Sequence, residues 1–415
     1  MLPLVPVQPK NIEHYRGVAG DEVIDEILRL AEGLKGARVA HINSTAHGGG
    51  VAELLYTLVP LMSSVGLQAE WHIMNGDPDF FTITKLFHNA LQGMDIPVTS
   101  EMKMKYLSVC GENASDCGQD YDFVIVHDPQ PCALFAAMKD RAIRRGKWIW
   151  RCHIDSTFAQ DDAWEFLVPY INLYDGAVFT MQSFVKSQLE VPCLAFIPPS
   201  IDPLSAKNII PEKRVQSDIA RRYGVDETRP IMLQVSRFDP WKDPLGLVDC
   251  YREVKRNHRD LQLVYCASMA DDDPEGWHYY EKTFNYADGD PDIFLLSNQQ
   301  GVGNVEVSAF QAMADVVLQK SLREGFGLTV TEAMWKRKPV VAGAVGGILL
   351  QVDDGVNGFL IDDIGEAAEK VSMLLDSPAT AQRMGEAGHD KVRRNFLSTR
   401  HLLDYLRFFH ILLRN

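Results

Sequence analysis

Short apolar runs that end in polar residues, then pass through Gly- or Pro-marked turns into helix-spaced segments, restrict this chain more than any other feature. ARVAHINST (37–45) precedes a Gly run at 48–50 and then Val51–Val65, whose apolar spacing predicts a helix. Such a strand–turn–helix step returns the chain to start the next strand in the same direction, so the pairing it builds is parallel. The step recurs at DFVIVH (122–127), which ends in His127-Asp128, and at KWIWRC (147–152), which runs into His153-Ile154-Asp155. DGAVFT (175–180) and LAFI (194–197) follow, the latter closed by Pro198-Pro199. After a charged passage, Asp202–Arg229, the step restarts at PIMLQVS (230–236), then Leu261–Cys266, Asp292–Leu296, Val316–Gln319 and Pro339–Ala342. The expectation is an α/β protein of two Rossmann-like domains. The first covers 1–205, with an N-terminal extension and a helix at Asp21–Leu34; the second covers 206–399. A closing helix, about 400–415, presents Leu402, Leu406, Phe409 and Leu413 along one face. That face is free to return to the first domain, although spacing alone does not say where.

Charge and cysteine content exclude several classes. With 41 Lys+Arg against 56 Asp+Glu the net charge is −15, the wrong sign for a sequence-independent grip on nucleic acid. The basic clusters Arg141–Lys147 and Lys336–Lys338 read as solvated helix surface. Seven cysteines are too few, and odd in number, for a disulfide framework. Cys110 and Cys117 flank a polar stretch that would allow one local bridge, but reduced thiols in a cytoplasmic protein are the expectation. The start, MLPLVPVQPKNIEHYRG, lacks the basic and apolar regions of a signal peptide. Leu402–Leu413 is too short and too charged to span a bilayer.

Ligands of open α/β sheets bind outside the carboxyl ends of the strands, so polar residues there are the candidates. His47-Gly48-Gly49-Gly50 resembles an esterase oxyanion turn, but no GxSxG nucleophile elbow accompanies it. What remains is either a tight turn or a Gly-bared helix N-terminus that can approach an anion or sugar. Arg237 and Lys242, on SRFDPWKDP, are two cations suited to a diphosphate, or solvated partners of Asp239 and Asp243. In EGFGLTVTEA, Glu324 stands before a Gly turn that opens a helix carrying Glu332. Taken alone, that is equally a capped helix with surface acids. Gly301-Val302-Gly303 lacks the third Gly of a dinucleotide fingerprint, and there is no phosphate loop or zinc helix.

Together, R-x4-K on a strand end and E-x7-E on a Gly-loop helix resemble the paired signature of glycosyltransferase family 4. That resemblance implies the GT-B fold, two Rossmann-like domains facing across a cleft. EHYRGVAGDEVIDEI, HINSTAHGGGVAELL, FHNALQG, WIWRCHID and SRFDPWKDP are similar to trehalose synthases of the glycosyl-transferring type. The resemblance implies a retaining glucosyltransferase that joins the glucose of ADP- or UDP-glucose to free glucose, reversibly or not. Arg237 and Lys242 would neutralise the donor diphosphate. Glu324 would hold sugar hydroxyls, while Gly325, Phe326, Gly327, Leu328 and Thr329 would present the turn to the donor. Glu332 would bind the ribose, with Ser297 and Asn298 near the base. Gly49 and Gly50 would close on the donor, Gly48 and Asp155 would meet the acceptor, and His153 would touch the reacting sugar unless it is a structural histidine. Neither cofactor nor metal is implied. Asp77-Pro78-Asp79 and Asp288-Gly289-Asp290 match the short DxD of metal-dependent transferases, but such a pattern is weak in an acidic chain.

The partners expected are small molecules (nucleotide-glucose, glucose, trehalose) and a second copy in a homodimer, with no nucleic acid or membrane. A trehalose phosphorylase, a transferase with a glycan or lipid acceptor, and a non-catalytic sugar-nucleotide binder remain the competing readings. The absence of a basic amphipathic docking helix disfavours a lipid acceptor.

Overall fold

Strands buried on both faces read as continuous apolar runs, and these runs build two parallel sheets. The structure, a computed structural model, describes residues 2–47, 49–117, 120–138, 146–269 and 274–414. The chain divides into two units: Met1–Ser200 with Leu397–Asn415, and Ile201–Phe396.

In the first unit β1 (Arg38–Asn43), β2 (Gln68–Ile73), β3 (Phe123–His127), β4 (Lys147–Arg151), β5 (Gly176–Phe179) and β6 (Cys193–Phe196) form one sheet in the order β2-β1-β3-β4-β5-β6. Every neighbouring pair is parallel. In the second unit β7 (Ile231–Val235), β8 (Gln262–Ala267), β9 (Ile293–Ser297), β10 (Val316–Gln319), β11 (Val340–Gly343) and β12 (Phe359–Ile361) run parallel in the order β12-β11-β10-β7-β8-β9. The fold is thus α/β with two Rossmann-like sheets.

The sequence reading omits β2 and β12. Both are edge strands, and QAEWHI buries only Trp71 deeply, so neither carries the apolar run of a central strand. Lys336 overturns the expectation of a solvated basic cluster: it is 3% exposed. Its Nζ donates to Gln311 Oε1 and to the Lys207 carbonyl, both at 2.9 Å. The helix end at Trp335 turns it inward, while Arg337 stays outside and pairs with Glu386. Most of Arg141–Lys147 lies outside the described residues. All seven cysteines are free thiols, Cys110 and Cys117 included. Among the described residues, no helix is long and apolar enough to cross a membrane.

The alternation of a strand sorts the first sheet into two unlike faces. Ala40, Ile42, Val124, Val126, Trp148, Trp150, Ala177 and Phe179 point into an apolar core with Phe80, Phe87, Tyr106 and Trp164. The opposite face carries His41, Phe123, His127 and Arg151, and the C-terminal helix Ser398–Arg414 covers it. Phe409 stacks on Phe123 with centroids 4.1 Å apart, a geometry worth about 1 kcal/mol beyond area burial. A His410 ring nitrogen lies 2.9 Å from the Leu30 carbonyl, and Arg407 pairs with Glu26 at 2.8 Å. The helix rides so close that a Cβ on Gly176 would sit 3.0 Å from the Phe408 ring and 3.1 Å from a backbone oxygen. Glycine there is a packing requirement.

Burying imidazoles beside guanidinium groups ties the first unit to pH. Burial holds His41 down to about 3. Burial first, then the nearby positive groups, push His127 and His401 well below their ordinary value. The unfolded state therefore binds more protons below about pH 6.5, and stability falls as pH drops through that point. Asp128 acts with the opposite sign, because burial raises its carboxyl to about 7. His153 is lowered in the same way, and setting these four histidines against this one acid, the expected net loss from pH 7 to 5.5 is about 3 kcal/mol, read from urea unfolding at the two pH values.

Candidate active site

A parallel sheet opens a crevice where consecutive connections leave a strand in opposite directions. In the second unit that point lies between β7 and β10, and in the first between β1 and β3. The candidate residues collect at carboxyl ends of the parallel strands: Gly49 and Gly50 after β1, His153 and Asp155 after β4, Arg237 and Lys242 after β7, Ser297 and Asn298 at β9, and Glu324 after β10.

In the second unit, Asp239 caps a short turn, Pro240–Lys242, by accepting from the Lys242 backbone N–H at 3.1 Å. The turn aims Lys242 back over the sheet, where its Nζ donates to Glu324 Oε2. Ser321 Oγ donates to the same oxygen at 3.1 Å. A cation from the β7 end and a carboxylate from beyond β10 are thus held together, both mostly buried. Arg237 is more exposed and reaches Asp239 at 3.3 Å. Burial raises the Asp239 carboxyl, while Lys242 and Arg237 pull it back down. Arg237 and Lys242 therefore bracket one buried acid.

The Gly turn lies beside this pair. Gly327 adopts φ 85° to cap the helix Leu328–Trp335, a left-handed conformation that favours glycine. Gln351 Nε2 donates to the Phe326 carbonyl, and the Gly347 N–H donates to the Glu324 carbonyl at 3.2 Å. Thr329 Oγ1 donates to Gln319 Oε1 at 3.1 Å, and Leu328 starts the helix. Glu332 is fully buried: it pairs with Lys207 at 2.7 Å and accepts from Gln311 Nε2 at 3.2 Å. Asn298 is engaged too, its side chain bridging both the N–H and the carbonyl of Met269, at 2.7 and 2.9 Å. Ser297 is buried at the end of β9.

In the first unit Gly49, at φ 75°, opens the helix Gly49–Ser64, and Gly49 and Gly50 are both exposed. Gly48 lies outside the described residues. Asn43 anchors the preceding loop: its Nδ2 donates to the Thr45 carbonyl, and its Oδ1 accepts from Trp71 Nε1, both at 2.7 Å. Asp155 accepts from the Thr157 N–H at 3.1 Å, forming a local turn. Asp128 holds His153 in place. It takes φ 64°, rare for a side-chain-bearing residue, and its Oδ1 accepts from the His153 backbone N–H at 2.7 Å. The His153 ring stacks on His127, and His127 on His41.

Several members of these sites carried no motif. Gln234, Lys320 and Asp243 form a second layer under the Lys242–Glu324 pair, with Lys320 and Asp243 at 2.7 Å. Arg151 is fully buried and its guanidinium makes one hydrogen bond, to the Ile197 carbonyl at 2.7 Å. A usable signal existed for the first unit: positions 127 and 151 place polar residues at the ends of apolar strands, and position 41 places one inside β1. Among the described residues, no group of three or more His, Cys, Asp or Glu side chains is arranged to hold a metal ion. Asp77 instead caps a helix and pairs with Lys105, and Asp290 lies near Lys255.

The Lys207–Glu332 pair gives a direct test of what holds this turn. Lys207→Met strands a buried carboxylate and is expected to destabilise the protein by about 3 kcal/mol. Adding Glu332→Gln should recover most of that loss in a thermal-melt double-mutant cycle.

Comparison with known proteins identifies the family and the fold. Residues 41–186 match the family described as trehalose synthase, N-terminal domain, and residues 215–391 match glycosyl transferases group 1. The trehalose synthase of Rubrobacter xylanophilus is 51% identical over 416 residues, covering 100% of each chain. That of Thermococcus litoralis is 47% identical over 400 residues, 96% of each. A trehalose phosphorylase of Pleurotus pulmonarius is 27% identical over 399 residues, which span 84% of this chain but 54% of its own. Among solved structures, the α,α-trehalose 6-phosphate synthase of Burkholderia multivorans superposes with a TM-score of 0.72 at 15% identity, over 92% of this chain and 98% of that one. The fold is GT-B, and the chain belongs to the trehalose synthase family of glycosyltransferases.

Proposed function

We propose that this enzyme is a retaining glucosyltransferase that forms trehalose from a nucleoside-diphosphate glucose and free glucose, and that it runs in either direction. The observation that carries this reading is the Lys242–Glu324 pair beside Arg237, at the switch point of the second sheet. Cleaving a sugar–diphosphate bond leaves negative charge on the phosphate and positive character at the anomeric carbon, so cations must sit beside a sugar-holding carboxylate. Arg237 and Lys242 take the diphosphate, Glu324 takes hydroxyls of the transferred glucose, and the N–H groups of Gly325–Thr329 face the donor. Ser297 and Asn298 lie toward the base. Glu332 reaches the ribose only by exchanging its contact with Lys207, which makes that pair part of donor binding.

In the first unit Gly48 and Asp155 take the acceptor, Gly49 and Gly50 serve the donor, and His153 stands at the reacting sugar. The acceptor hydroxyl attacks the anomeric carbon on the face the diphosphate leaves. Its proton passes to the departing phosphate oxygen, so configuration is retained without a covalent enzyme intermediate. No metal takes part in this scheme. The enzyme works in the cytoplasm with reduced thiols, as a homodimer.

Full-length coverage of the synthases, against 54% of the phosphorylase, supports a synthase over a phosphorylase. The test is incubation with glucose and either ADP-glucose or UDP-glucose, in EDTA, with products read by NMR. Non-reducing α,α-disaccharide is expected, and the faster donor identifies the nucleotide. Disaccharide formed or cleaved only with phosphate would establish the phosphorylase instead. Glu324→Gln should lower kcat by about a hundredfold and, because it leaves the mostly buried Lys242 without its carboxylate, also lower the melting temperature.

A further inference from the structure

Three histidines, His41 in β1, His127 at the end of β3 and His153 just past β4, form a row behind the proposed acceptor site. His41 Nδ1 lies 3.0 Å from His127 Nε2, and His127 Nδ1 lies 3.0 Å from His153 Nε2. The rings stack at 5.3 Å, tilted by 25° and 15°. Each contact needs one protonated and one bare nitrogen. Three neutral rings can satisfy both contacts in only two ways, with all protons directed inward or all directed outward.

The inner end of the row decides between them. His41 Nε2 faces the sulfur of Met62 at 3.5 Å. A thioether carries no proton and can only accept, so the proton belongs on His41 Nε2. His41 Nδ1 is then bare and accepts from His127 Nε2–H. His127 Nδ1 is bare in turn and accepts from His153 Nε2–H. The outward arrangement would instead turn a bare nitrogen toward sulfur lone pairs. We propose that Met62, acting through His41 and His127, fixes His153 as its Nε2–H tautomer and leaves its Nδ1 bare, so that His153 accepts a hydrogen bond from a sugar hydroxyl and does not donate one.

The surroundings keep the row neutral. Arg151 and His401 lie close to it, and Tyr405 stands edge-on to His41 with centroids 6.3 Å apart. Arg400, whose acid partner Asp404 is at 2.6 Å, adds further positive charge beside His401. The nearby acid, Asp128, accepts from the His153 backbone and not from a ring. Burial and these cations oppose any added proton, and all three rings are shifted below the ordinary imidazole value. Met62, His41 and His127 are therefore positioning residues, and His153 alone meets the ligand. Among the described residues, His153 Nδ1 has no protein partner.

The role at the sugar rests on the function proposed above, but the tautomer does not, and the experiment separates them. In protein labelled with 15N-histidine, long-range 1H–15N spectra at pH 7 without substrate should show His41, His127 and His153 each protonated at Nε2. Met62→Leu keeps the volume but removes the acceptor, and should turn His153 into a mixture of tautomers. His127→Phe, which cuts the row in the middle, should free His153 while leaving His41 protonated at Nε2. With the two glucose substrates, Met62→Leu should lower kcat/KM about twofold, because about half of the His153 rings then carry the wrong tautomer. A parent His153 protonated at Nδ1 would overturn the proposal, as would spectra unchanged in both variants. A parent that makes no disaccharide would remove the proposed function and leave the tautomer result standing.

Discussion

The parallel ladder is the constraint on which the rest of this molecule depends. Parallel strands cannot be joined by tight hairpins, so each must be followed by a crossover, and all the carboxyl ends gather at one edge. That edge is where Arg237, Lys320, His127 and His153 stand, each just at or beyond a strand terminus. Neither unit needed a dedicated scaffold for its site. The wider crevice between β7 and β10, or between β1 and β3, follows from strand order alone.

On this shared plan the two units use opposite electrostatics. The second builds its site from paired charges: Lys242 with Glu324, Lys320 with Asp243, and Lys207 with Glu332. Paired charges hold one another in place and can trade partners when a charged ligand arrives. The first unit gathers neutral imidazoles around Arg151, a buried cation with no carboxylate on it among the described residues. Such surroundings resist ionisation and suit hydroxyl groups, whose recognition depends on where single protons lie.

Much of this was legible in the sequence, and the gaps have physical causes. Ten of the twelve strands among the described residues announce themselves as apolar runs, whereas β2 and β12 lie on sheet edges and hide in polar or very short segments. Arg237, Lys242 and Glu324 could be read because turn residues bring them to strand ends. Lys336 was misread because a charge run says nothing about which member the helix end turns inward. The engagement of Glu332 by Lys207 joins positions 125 residues apart, which no local pattern encodes. The histidine row was half visible, since His127 and His153 each close a strand. That they touch one another and His41 depends on the order β1-β3-β4, which periodicity does not give.

The return of the C-terminal helix to the first sheet also governs how the protein emerges during synthesis. The strands of the first unit are complete by Ser200, yet the helix that covers their second face begins after Phe396. At about 5–20 residues per second, the intervening stretch keeps the ribosome occupied for about 10–40 seconds. Throughout that interval Phe123 lacks the Phe409 ring that will stack on it, while the later unit, continuous in sequence, can finish folding before the earlier one is sealed. The first domain made is the last one closed.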